Sequence, residues 1–235
     1  GRVGVISGGA GTFGRALAAR VARGGMHIVV ADRDAASLDQ ATDELSRSGV
    51  DAIGVTTDVS RAESVEALAR ATIERFGAVH VLANNAGVAA LGTAWESTVA
   101  DWQWTLGVNL WGVIHGVRTF TPILLAQGTD GHILNTASVA GLINPPGMGV
   151  YNVSKHAVVA LTETLFHDLR LAQSGLGVSL LCPAFVPTGI EHGTLTVIGD
   201  GIPYEVTTLR ADVATDGRRA EVAFGRDWKT DAERR

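Results

Sequence analysis

Short apolar runs alternate with helical segments along most of the chain, and this alternation limits the folds that the sequence can adopt. The apolar runs are hydrophobic throughout, so they predict strands buried on both sides rather than strands with one face in water. Strands of this kind that alternate with helices predict an α/β fold with a parallel sheet covered on both faces. The predicted strands are 3–7, 27–31, 52–56, 79–83, 132–136 and 178–182, and the clearest helical segments are 38–45, 65–76, 101–125 and 151–172.

The composition favours one domain of α/β size and argues against several other classes of protein. With 235 residues, of which 46% are hydrophobic, the chain can bury a full core. A net charge of −5 gives no basic surface for nucleic acid. No apolar run approaches the roughly 18 residues of a membrane span. We therefore predict neither a nucleic-acid partner nor a membrane partner.

The few cysteine and histidine residues narrow the chemistry further. The single cysteine, Cys182, excludes an internal disulfide and fits a reducing compartment, which predicts a cytoplasmic location. The histidines show no ligand spacing, so no metal site is predicted. Because the chain begins with Gly1 rather than methionine and enters a strand almost at once, we expect that it has been trimmed.

The residues with the clearest chemistry are Tyr151 and Lys155, together with Ser138 thirteen positions before the tyrosine. Residues four apart on a helix share one face, so the ammonium group of Lys155 can lie beside the phenol and lower its pKa. The hydroxyl of Ser138, from a separate segment, can hold a substrate oxygen next to the tyrosine. This arrangement suits proton transfer to or from a carbinol or carbonyl oxygen while a hydride moves elsewhere. Taken alone, the YxxxK pattern is also consistent with a surface helix that happens to carry a tyrosine and a lysine.

A glycine-rich turn follows the first predicted strand. Gly9, Gly11 and Gly14 match the general dinucleotide spacing, in which the backbone approaches a pyrophosphate and the next helix directs N–H groups at it. A plain tight turn is the alternative. Asp32 ends the second strand, where a carboxylate can accept hydrogen bonds from a ribose diol. Its charge repels a 2′-phosphate and favours NAD over NADP, although Arg33 beside it weakens that preference.

In their order along the chain, these motifs resemble the short-chain dehydrogenase/reductase family, and the resemblance covers residues 1 to about 190. The turn from Ser7 to Gly14 is similar to the family's TGxxxGxG turn, and residues 84–87 read NNAG, the segment that supports the family's central strand. The resemblance implies a Rossmann-type, doubly wound sheet of six parallel strands in the order 3-2-1-4-5-6, without the family's usual seventh strand. It also implies reversible oxidation of a secondary alcohol to a ketone with NAD, or less readily NADP, as cofactor.

The resemblance also implies roles for individual residues. Tyr151 would be the acid/base, and Lys155 would hold the nicotinamide ribose while it lowers the pKa of the tyrosine. Ser138 would orient the substrate oxygen, and Asn109 would anchor a water that leads protons to the lysine. The implied cofactor-binding residues are Gly8, Gly11, Thr12, Phe13, Gly14, Asp32, Arg33, Asp58, Val59, Asn85, Ala86, Gly87, Tyr151, Lys155, Pro183, Val186 and Thr188.

Two positions depart from the family pattern. Thr12 replaces the middle glycine of the turn, so a side chain stands where backbone should meet phosphate. Its hydroxyl could bond the phosphate, Gly11 could absorb the change, or cofactor binding could be weakened. Ala184 replaces the glycine that usually follows Pro183, and its methyl group could crowd the nicotinamide. Both substitutions therefore bear on the strength of cofactor binding.

The last part of the chain departs from this plan, and we expect a boundary at about residue 190. Alternating residues on either side of 199–201, which read GDG, predict a β-hairpin in place of the family's substrate lid and next helix. From about residue 187 to 235 the order of short motifs resembles the head domain of the tRNA CCA-adding enzyme and poly(A) polymerase family. We interpret the chain as a dinucleotide-binding catalytic domain, 1–190, joined to a tail of different origin, 191–235. The alternative is a dehydrogenase with an unusual lid.

Three functions therefore stay open from the sequence. The favoured one is an oxidoreductase that acts on a small-molecule alcohol or ketone, and its rival is a non-catalytic dinucleotide-binding module or an unstable fusion product. A nucleotidyltransferase is disfavoured, because the paired carboxylates that hold metal in that family precede the portion seen here. We also expect a homo-oligomer that pairs through the helices near 101–125 and 151–172.

Overall fold

Six parallel strands form the centre of the protein. The structure is a computed structural model that describes residues 1–184, together with the backbone of three two-residue strands at 194–195, 197–198 and 207–208. The parallel strands lie in the order β3-β2-β1-β4-β5-β6, which confirms the predicted α/β class and strand order. The strands are β1 (Val3–Ser7), β2 (His27–Asp32), β3 (Ala52–Thr56), β4 (Val81–Asn84), β5 (His132–Thr136) and β6 (Gly177–Leu181).

Helices connect these strands. The long helix predicted near 101–125 is observed as two helices separated by one π-helical turn, Gly107–Trp111, which contains Asn109. Such turns are rare and frequently occur at functional sites. The helices are α1 (Thr12–Ala22), α2 (Ala35–Arg47), α3 (Ala62–Phe76), α4 (Val99–Leu106), α5 (Gly112–Gln127), α6 (Ala140–Ile143) and α7 (Gly149–Leu171).

The fourth strand begins two residues later than the apolar run predicts. The backbone N–H of Val79 donates to the side-chain Oε1 of Gln127 at 2.8 Å, and Nε2 of the same glutamine donates to the carbonyl of Val79. The N–H of His80 donates to the carbonyl of Val3 at 2.8 Å, and the paired residues of β1 and β4 begin with Gly4 and Val81. The side chain of Gln127, at the end of α5, therefore bonds the backbone groups of Val79 that a neighbouring strand would otherwise bond.

Two hydrophobic layers bury both faces of the sheet. Val3 and Val5 of β1 belong to one layer, with Leu68 of α3 and Phe120 of α5. Alternate residues of a strand point to opposite faces, so Ile6 of the same strand belongs to the other layer. Full burial of each such side chain stabilises the fold by about 1.5–3 kcal/mol. The second layer contains Ile6, Ala18, Ile28, Val30, Leu38 and Leu45.

The sheet carries one strand more than the resemblance implied. Among the described strands, β7 (Thr194–Leu195) pairs antiparallel with β9 (Thr207–Thr208), and β8 (Val197–Ile198) pairs antiparallel with β6. The main sheet therefore has a short, antiparallel seventh strand beside the six parallel strands that we predicted. The turn of the hairpin predicted around 199–201 lies outside the described residues.

Several large apolar side chains remain exposed on the helices. Trp104 of α4 and Trp111 of the π-helical turn are 45% and 52% exposed. Val153 and Leu171 are exposed on α7. Within residues 1–184, no helix combines the length and the apolar character that crossing a membrane would need.

Candidate active site

The glycine-rich turn between β1 and α1 has no room for a side chain at Gly8, Gly9 or Gly14. Gly8 adopts a φ of +62°, and a Cβ there would lie 2.7 Å from Cα of Ala86. A Cβ on Gly14 would lie 2.1 Å from the carbonyl oxygen of Gly8. Gly11 and Thr12 are exposed at the start of α1, where backbone N–H groups can bind an anion. The turn and the start of the helix therefore fit a pyrophosphate.

Asp32 lies at the end of β2, and its carboxylate is directed at this turn. Its Oδ2 accepts a hydrogen bond from the backbone N–H of Ala10 at 3.2 Å, and its Oδ1 accepts one from the N–H of Asp34 at 3.3 Å. The side chain remains partly exposed, whereas Arg33 beside it is exposed. The structure thus brings Asp32 and the glycine-rich turn together and leaves the carboxylate able to accept further hydrogen bonds.

Asp58 and Val59 follow β3 and make contacts within the protein. Oδ1 of Asp58 accepts hydrogen bonds from the N–H of Ser60 at 3.0 Å and from its hydroxyl at 2.6 Å. Val59 is buried so closely against α5 that a Cβ on Gly112 would lie 2.8 Å from its Cγ2. Asp58 therefore orders its own loop, and Val59 fixes that loop to the neighbouring helix.

The NNAG segment after β4 is tied to the first strand by Ser7. The hydroxyl of Ser7 accepts hydrogen bonds from the backbone N–H groups of Asn85 at 3.0 Å and Ala86 at 3.2 Å. Nδ2 of Asn85 donates back to the carbonyl of Ser7 at 3.1 Å. These bonds hold the segment beside the glycine-rich turn.

Asn109 is fully buried in the π-helical turn and holds the residue that follows NNAG. Its Oδ1 accepts from the N–H of Val88, and its Nδ2 donates to the carbonyl of Val88, both at 2.8 Å. Nδ2 also donates to Oγ of Ser154 at 3.0 Å. A Cβ on Gly87 would lie 3.4 Å from Oδ1 of Asn109 and 3.5 Å from Nζ of Lys155. The amide and ammonium groups therefore face the same small space beside Gly87.

Lys155 is buried in α7 and only 3% exposed. Its Nζ donates to the carbonyl of Thr136 at 2.9 Å and lies 5.7 Å from the centre of the Tyr151 ring. Burial lowers the pKa of Lys155 to about 8, and the nearby thiol of Cys182 opposes that shift. The ammonium group therefore titrates much closer to neutral pH than an exposed lysine does.

Tyr151 lies one helical turn before Lys155 and is hydrogen-bonded to Ser138. Oγ of Ser138 accepts from the N–H of Ala140 at 3.1 Å. We expected Lys155 to lower the pKa of Tyr151, but in this structure burial raises that pKa, and the hydrogen bond with Ser138 offsets only part of the rise. The expectation was wrong because removing the phenol from water disfavours its charged form, and this effect dominates here.

The segment after β6 is described as far as Ala184, which is exposed. The carbonyl of Pro183 accepts hydrogen bonds from the N–H of Val139 at 3.0 Å and from the hydroxyl of Ser138 at 3.4 Å. Pro183 therefore lies against the loop that carries the serine. Two implied cofactor contacts, Val186 and Thr188, lie outside the described residues.

The roles of three residues of the site were not predicted from the sequence. The hydroxyl of Ser7 orders the NNAG segment, and that of Ser154 accepts from Asn109. Ser154 lies between the tyrosine and the lysine of the YxxxK pattern, so its position was a usable signal. Thr136 acts through its backbone oxygen, which no residue type reveals. Within residues 1–184, no group of three or more His, Cys, Asp or Glu side chains is placed to hold a metal ion.

The chain matches one family over most of its length. A model of that family, the short chain dehydrogenases, matches residues 2–196. The protein therefore belongs to the short chain dehydrogenase family, whose members are oxidoreductases.

Individual relatives show the same likeness. A CLA biosynthesis dehydrogenase/reductase from Lactiplantibacillus plantarum is 36% identical over 187 residues, which cover 80% of this chain and 65% of the relative. A 1-deoxy-11-beta-hydroxypentalenate dehydrogenase from Streptomyces exfoliatus is 36% identical over 204 residues, covering 85% of this chain and 73% of the relative. A short chain dehydrogenase/reductase from Burkholderia phymatum, solved in complex with NAD, is 58% identical with a TM-score of 0.79, covering 80% of this chain and 67% of that one. The chain thus spans about two thirds of the length of these relatives.

The comparisons do not support the second predicted resemblance. The family match runs to residue 196, past the boundary predicted at about 190. The likeness of the segment from about 187 to 235 to the head domain of the CCA-adding enzyme finds no support. The division into 1–190 and 191–235 stays a prediction.

Proposed function

We propose that the protein is an NAD-preferring oxidoreductase that interconverts a secondary alcohol and a ketone. The observation that carries this proposal is the meeting of Tyr151, Ser138 and Lys155 at the edge of the sheet that also holds the glycine-rich turn. The two hydroxyl groups are hydrogen-bonded, and the ammonium group lies 5.7 Å from the centre of the phenol ring. Such a grouping can hold one substrate oxygen and move one proton.

The proposed reaction assigns one task to each of these side chains. The hydroxyl of Ser138 donates to the substrate oxygen and keeps it beside the phenol of Tyr151. In the oxidative direction, Tyr151 as phenolate takes the hydroxyl proton of the alcohol; in the reductive direction, it returns that proton to the ketone. The dinucleotide, when bound, supplies the acceptor or donor of the hydride.

In this proposal, two effects act in opposite directions on the charge of the phenol. Burial opposes the phenolate. We propose that the ammonium group of Lys155, which lies 5.7 Å from the centre of the ring, favours it. The net rise in the pKa of Tyr151 means that oxidation should accelerate as pH rises, because more of the phenol is then ionised. Loss of the proton from Lys155, whose pKa is about 8, removes part of that help and should flatten the rise at higher pH.

Preference for NAD is supported by the charge and position of Asp32. A carboxylate held beside the turn can accept hydrogen bonds from ribose hydroxyls and repels a 2′-phosphate. The Burkholderia phymatum structure, which is 58% identical, contains NAD. One relative is named as the dehydrogenase of a hydroxylated compound, 1-deoxy-11-beta-hydroxypentalenate, which supports an alcohol as the substrate.

Binding and turnover can be tested separately. Titration with NADH, followed by fluorescence, measures binding, and a panel of secondary alcohols with NAD, followed by NADH absorbance, measures turnover. Tyr151→Phe should lower turnover by about 1,000-fold or more, because the acid/base is lost, while NADH affinity should stay within about twofold. Turnover that survives in Tyr151→Phe would refute the assignment. A wild-type protein that binds NADH but oxidises no alcohol would instead support the non-catalytic binding module.

A substrate with apolar substituents is favoured by side chains beside the site. Leu91 precedes Gly92, and Trp95 follows it three residues later. The N–H of Gly92 donates to the carbonyl of Gly147 at 2.8 Å, four residues before the tyrosine in the chain. Ile143 ends the short helix that follows the serine, and all three large side chains are mostly exposed. The alcohol panel should therefore show a lower KM for longer apolar alcohols than for short or polyhydroxylated ones. The opposite order would contradict an apolar substrate and leave the reaction class untouched.

The remaining expectations about partners and origin are proposals as well. Exposed Trp104 and Trp111, with Val153 and Leu171 of α7, support pairing of two copies through these helices, and sedimentation of the protein would test it. The cytoplasmic location and the foreign origin of residues 191–235 stay predictions. The parent reading frame on both sides of this sequence would test the second of these.

A further inference from the structure

Arg15 makes three hydrogen bonds that connect the glycine-rich turn to α2. Its Nε donates to the carbonyl of Ala10 at 2.8 Å, and its Nη2 donates to the carbonyl of Ser37 at 3.2 Å. Its Nη1 donates to Oε1 of Glu44 at 2.7 Å in an ion pair. Ala10 belongs to the turn, whereas Ser37 and Glu44 belong to α2. One guanidinium group therefore joins two segments that are separate in the chain.

The two carbonyl groups that Arg15 holds belong to residues whose N–H groups are held as well. The N–H of Ala10 donates to Asp32, and the N–H of Ser37 donates to Oδ1 of Asp34 at 2.7 Å. Asp32 ends β2, and Asp34 caps the start of α2 two residues later. The arginine therefore fixes the two backbone positions to which these carboxylates are bonded.

From this arrangement we infer that Arg15 is a positioning residue for Asp32. The inference rests on the proposed function, because it concerns how the protein presents a carboxylate to the ribose of a dinucleotide. The planar guanidinium group holds its acceptors in a fixed arrangement, so the carboxylate of Asp32 stays in place before any ligand arrives. A preformed acceptor spares the ligand the ordering of that side chain on binding.

The ion pair with Glu44 contributes less to the positioning of Asp32 than the hydrogen bonds of Arg15 to the backbone do. The side chain of Arg15 is 27% exposed and that of Glu44 is 55% exposed, so water screens their attraction. The hydrogen bonds to the two backbone carbonyls are what connect the turn to α2. Lysine in place of the arginine would keep the charge but could not reach all three acceptors in one plane.

The test compares ligand affinities in four variants with those of the wild type. Dissociation constants for NADH, NADPH and ADP-ribose are measured for Arg15→Gln, Arg15→Lys, Glu44→Gln and the control Arg118→Gln. Arg118 also forms a 2.6 Å ion pair, with Glu66, but lies between α3 and α5, away from the turn. We expect Arg15→Gln to weaken the binding of NADH and ADP-ribose about tenfold. Arg15→Lys should weaken their binding less, and Glu44→Gln should have the smallest effect of the three. Arg118→Gln should change neither constant.

Two further readouts separate positioning from general support of the fold. In Arg15→Gln the ratio of the NADPH to the NADH dissociation constant should fall, because a mobile Asp32 rejects the 2′-phosphate less well. Turnover at saturating NAD should stay within about twofold, because the tyrosine end is untouched. If Arg15→Gln does not fold, the same comparison is made with Arg15→Lys.

The possible failures are distinguishable. Equal affinities in Arg15→Gln and Arg118→Gln, with a wild type that binds NADH, would overturn the inference alone. An unchanged NADPH to NADH ratio would overturn it as well. A wild type that binds neither NADH nor ADP-ribose would refute the proposed function and this inference with it.

Discussion

The dinucleotide end and the tyrosine end of the candidate site differ in how well their polar groups are stabilised before a ligand binds. At the dinucleotide end, each carboxylate and carbonyl just described has a hydrogen-bond donor within the protein, as Asp32 has Ala10 and Asp34. At the tyrosine end, Lys155 is buried with its pKa lowered to about 8, and burial raises the pKa of Tyr151. The first end is satisfied before a ligand binds, whereas the second holds groups whose charged forms the protein disfavours.

This difference teaches what each end contributes. A rigid binding site binds its ligand more tightly, because no free energy of binding is lost in ordering the side chains. A proton-transfer end gains from groups that change charge near the working pH, and such groups lower the stability of the folded state. Substitutions at each end can test whether one end determines cofactor affinity and the other determines turnover.

The largest effect is expected for Lys155→Met. Turnover should fall by about 100-fold or more, because the phenolate loses its neighbouring charge. At pH 7 the variant should nevertheless be more stable than the wild type by about 1 kcal/mol, since a buried charge is removed at the cost of one unpaired carbonyl. Urea unfolding measures the second quantity.

The difference in stability between the wild type and Lys155→Met should depend on pH. The pKa of Lys155 is about 8 in the folded protein, below that of the unfolded chain, so the unfolded chain binds more protons above pH 8. The contribution of Lys155 to stability should therefore rise as pH rises from about 8 toward the ordinary lysine range, and the advantage of Lys155→Met over the wild type should shrink. The raised pKa of Cys182 acts in the opposite direction, but this thiol is present in both proteins, so the prediction concerns the difference between them. Tyr151→Phe, which keeps the lysine, should retain the wild-type dependence below the ordinary titration range of tyrosine, about pH 9. A Lys155→Met variant that is less stable than the wild type at pH 7 would contradict the comparison.

Gly14→Ala should break the dinucleotide end. The new Cβ would lie 2.1 Å from the carbonyl oxygen of Gly8, so the turn has to move. We expect NADH affinity to fall by about 30-fold and the free energy of unfolding to fall by about 2 kcal/mol. Gly175→Ala is the matched control, because a Cβ there meets no atom within 4 Å. Equal NADH affinity in the two variants would show that the turn does not form the binding surface.

The smallest effect is expected for Asp32→Asn, measured as a ratio of affinities. The amide oxygen can still accept the N–H of Ala10, which keeps the contact with the turn. The negative charge is lost together with the long, 3.3 Å hydrogen bond from the N–H of Asp34. The preference for NADH over NADPH should fall by about tenfold. Asp39→Asn, on the exposed face of α2, controls for net charge. A shift of the same size in both variants would mean that the local position of Asp32 does not select the cofactor.

The sequence predicted the order of the strands and the segments that end at the site, because apolar runs and glycine turns are visible in one dimension. It did not predict the start of β4, because the Gln127 side chain that replaces the strand partner is 48 positions away. The direction of the Tyr151 pKa was also out of reach. A helical spacing of four residues reveals a neighbouring charge but not the burial that outweighs it. Arg15 went unnoticed because two of its three acceptors are backbone carbonyls.

The π-helical turn at Gly107–Trp111 sets a limit on insertions and deletions in this part of the chain. Removing one residue there would restore regular helix but rotate everything that follows by about 100° relative to α4. Asn109 could then not face Val88 while Phe120 still faced the sheet, since the two directions depend on the extra residue between them. The helical phase across this turn is therefore fixed from both sides, by an amide on one and by an aromatic ring on the other.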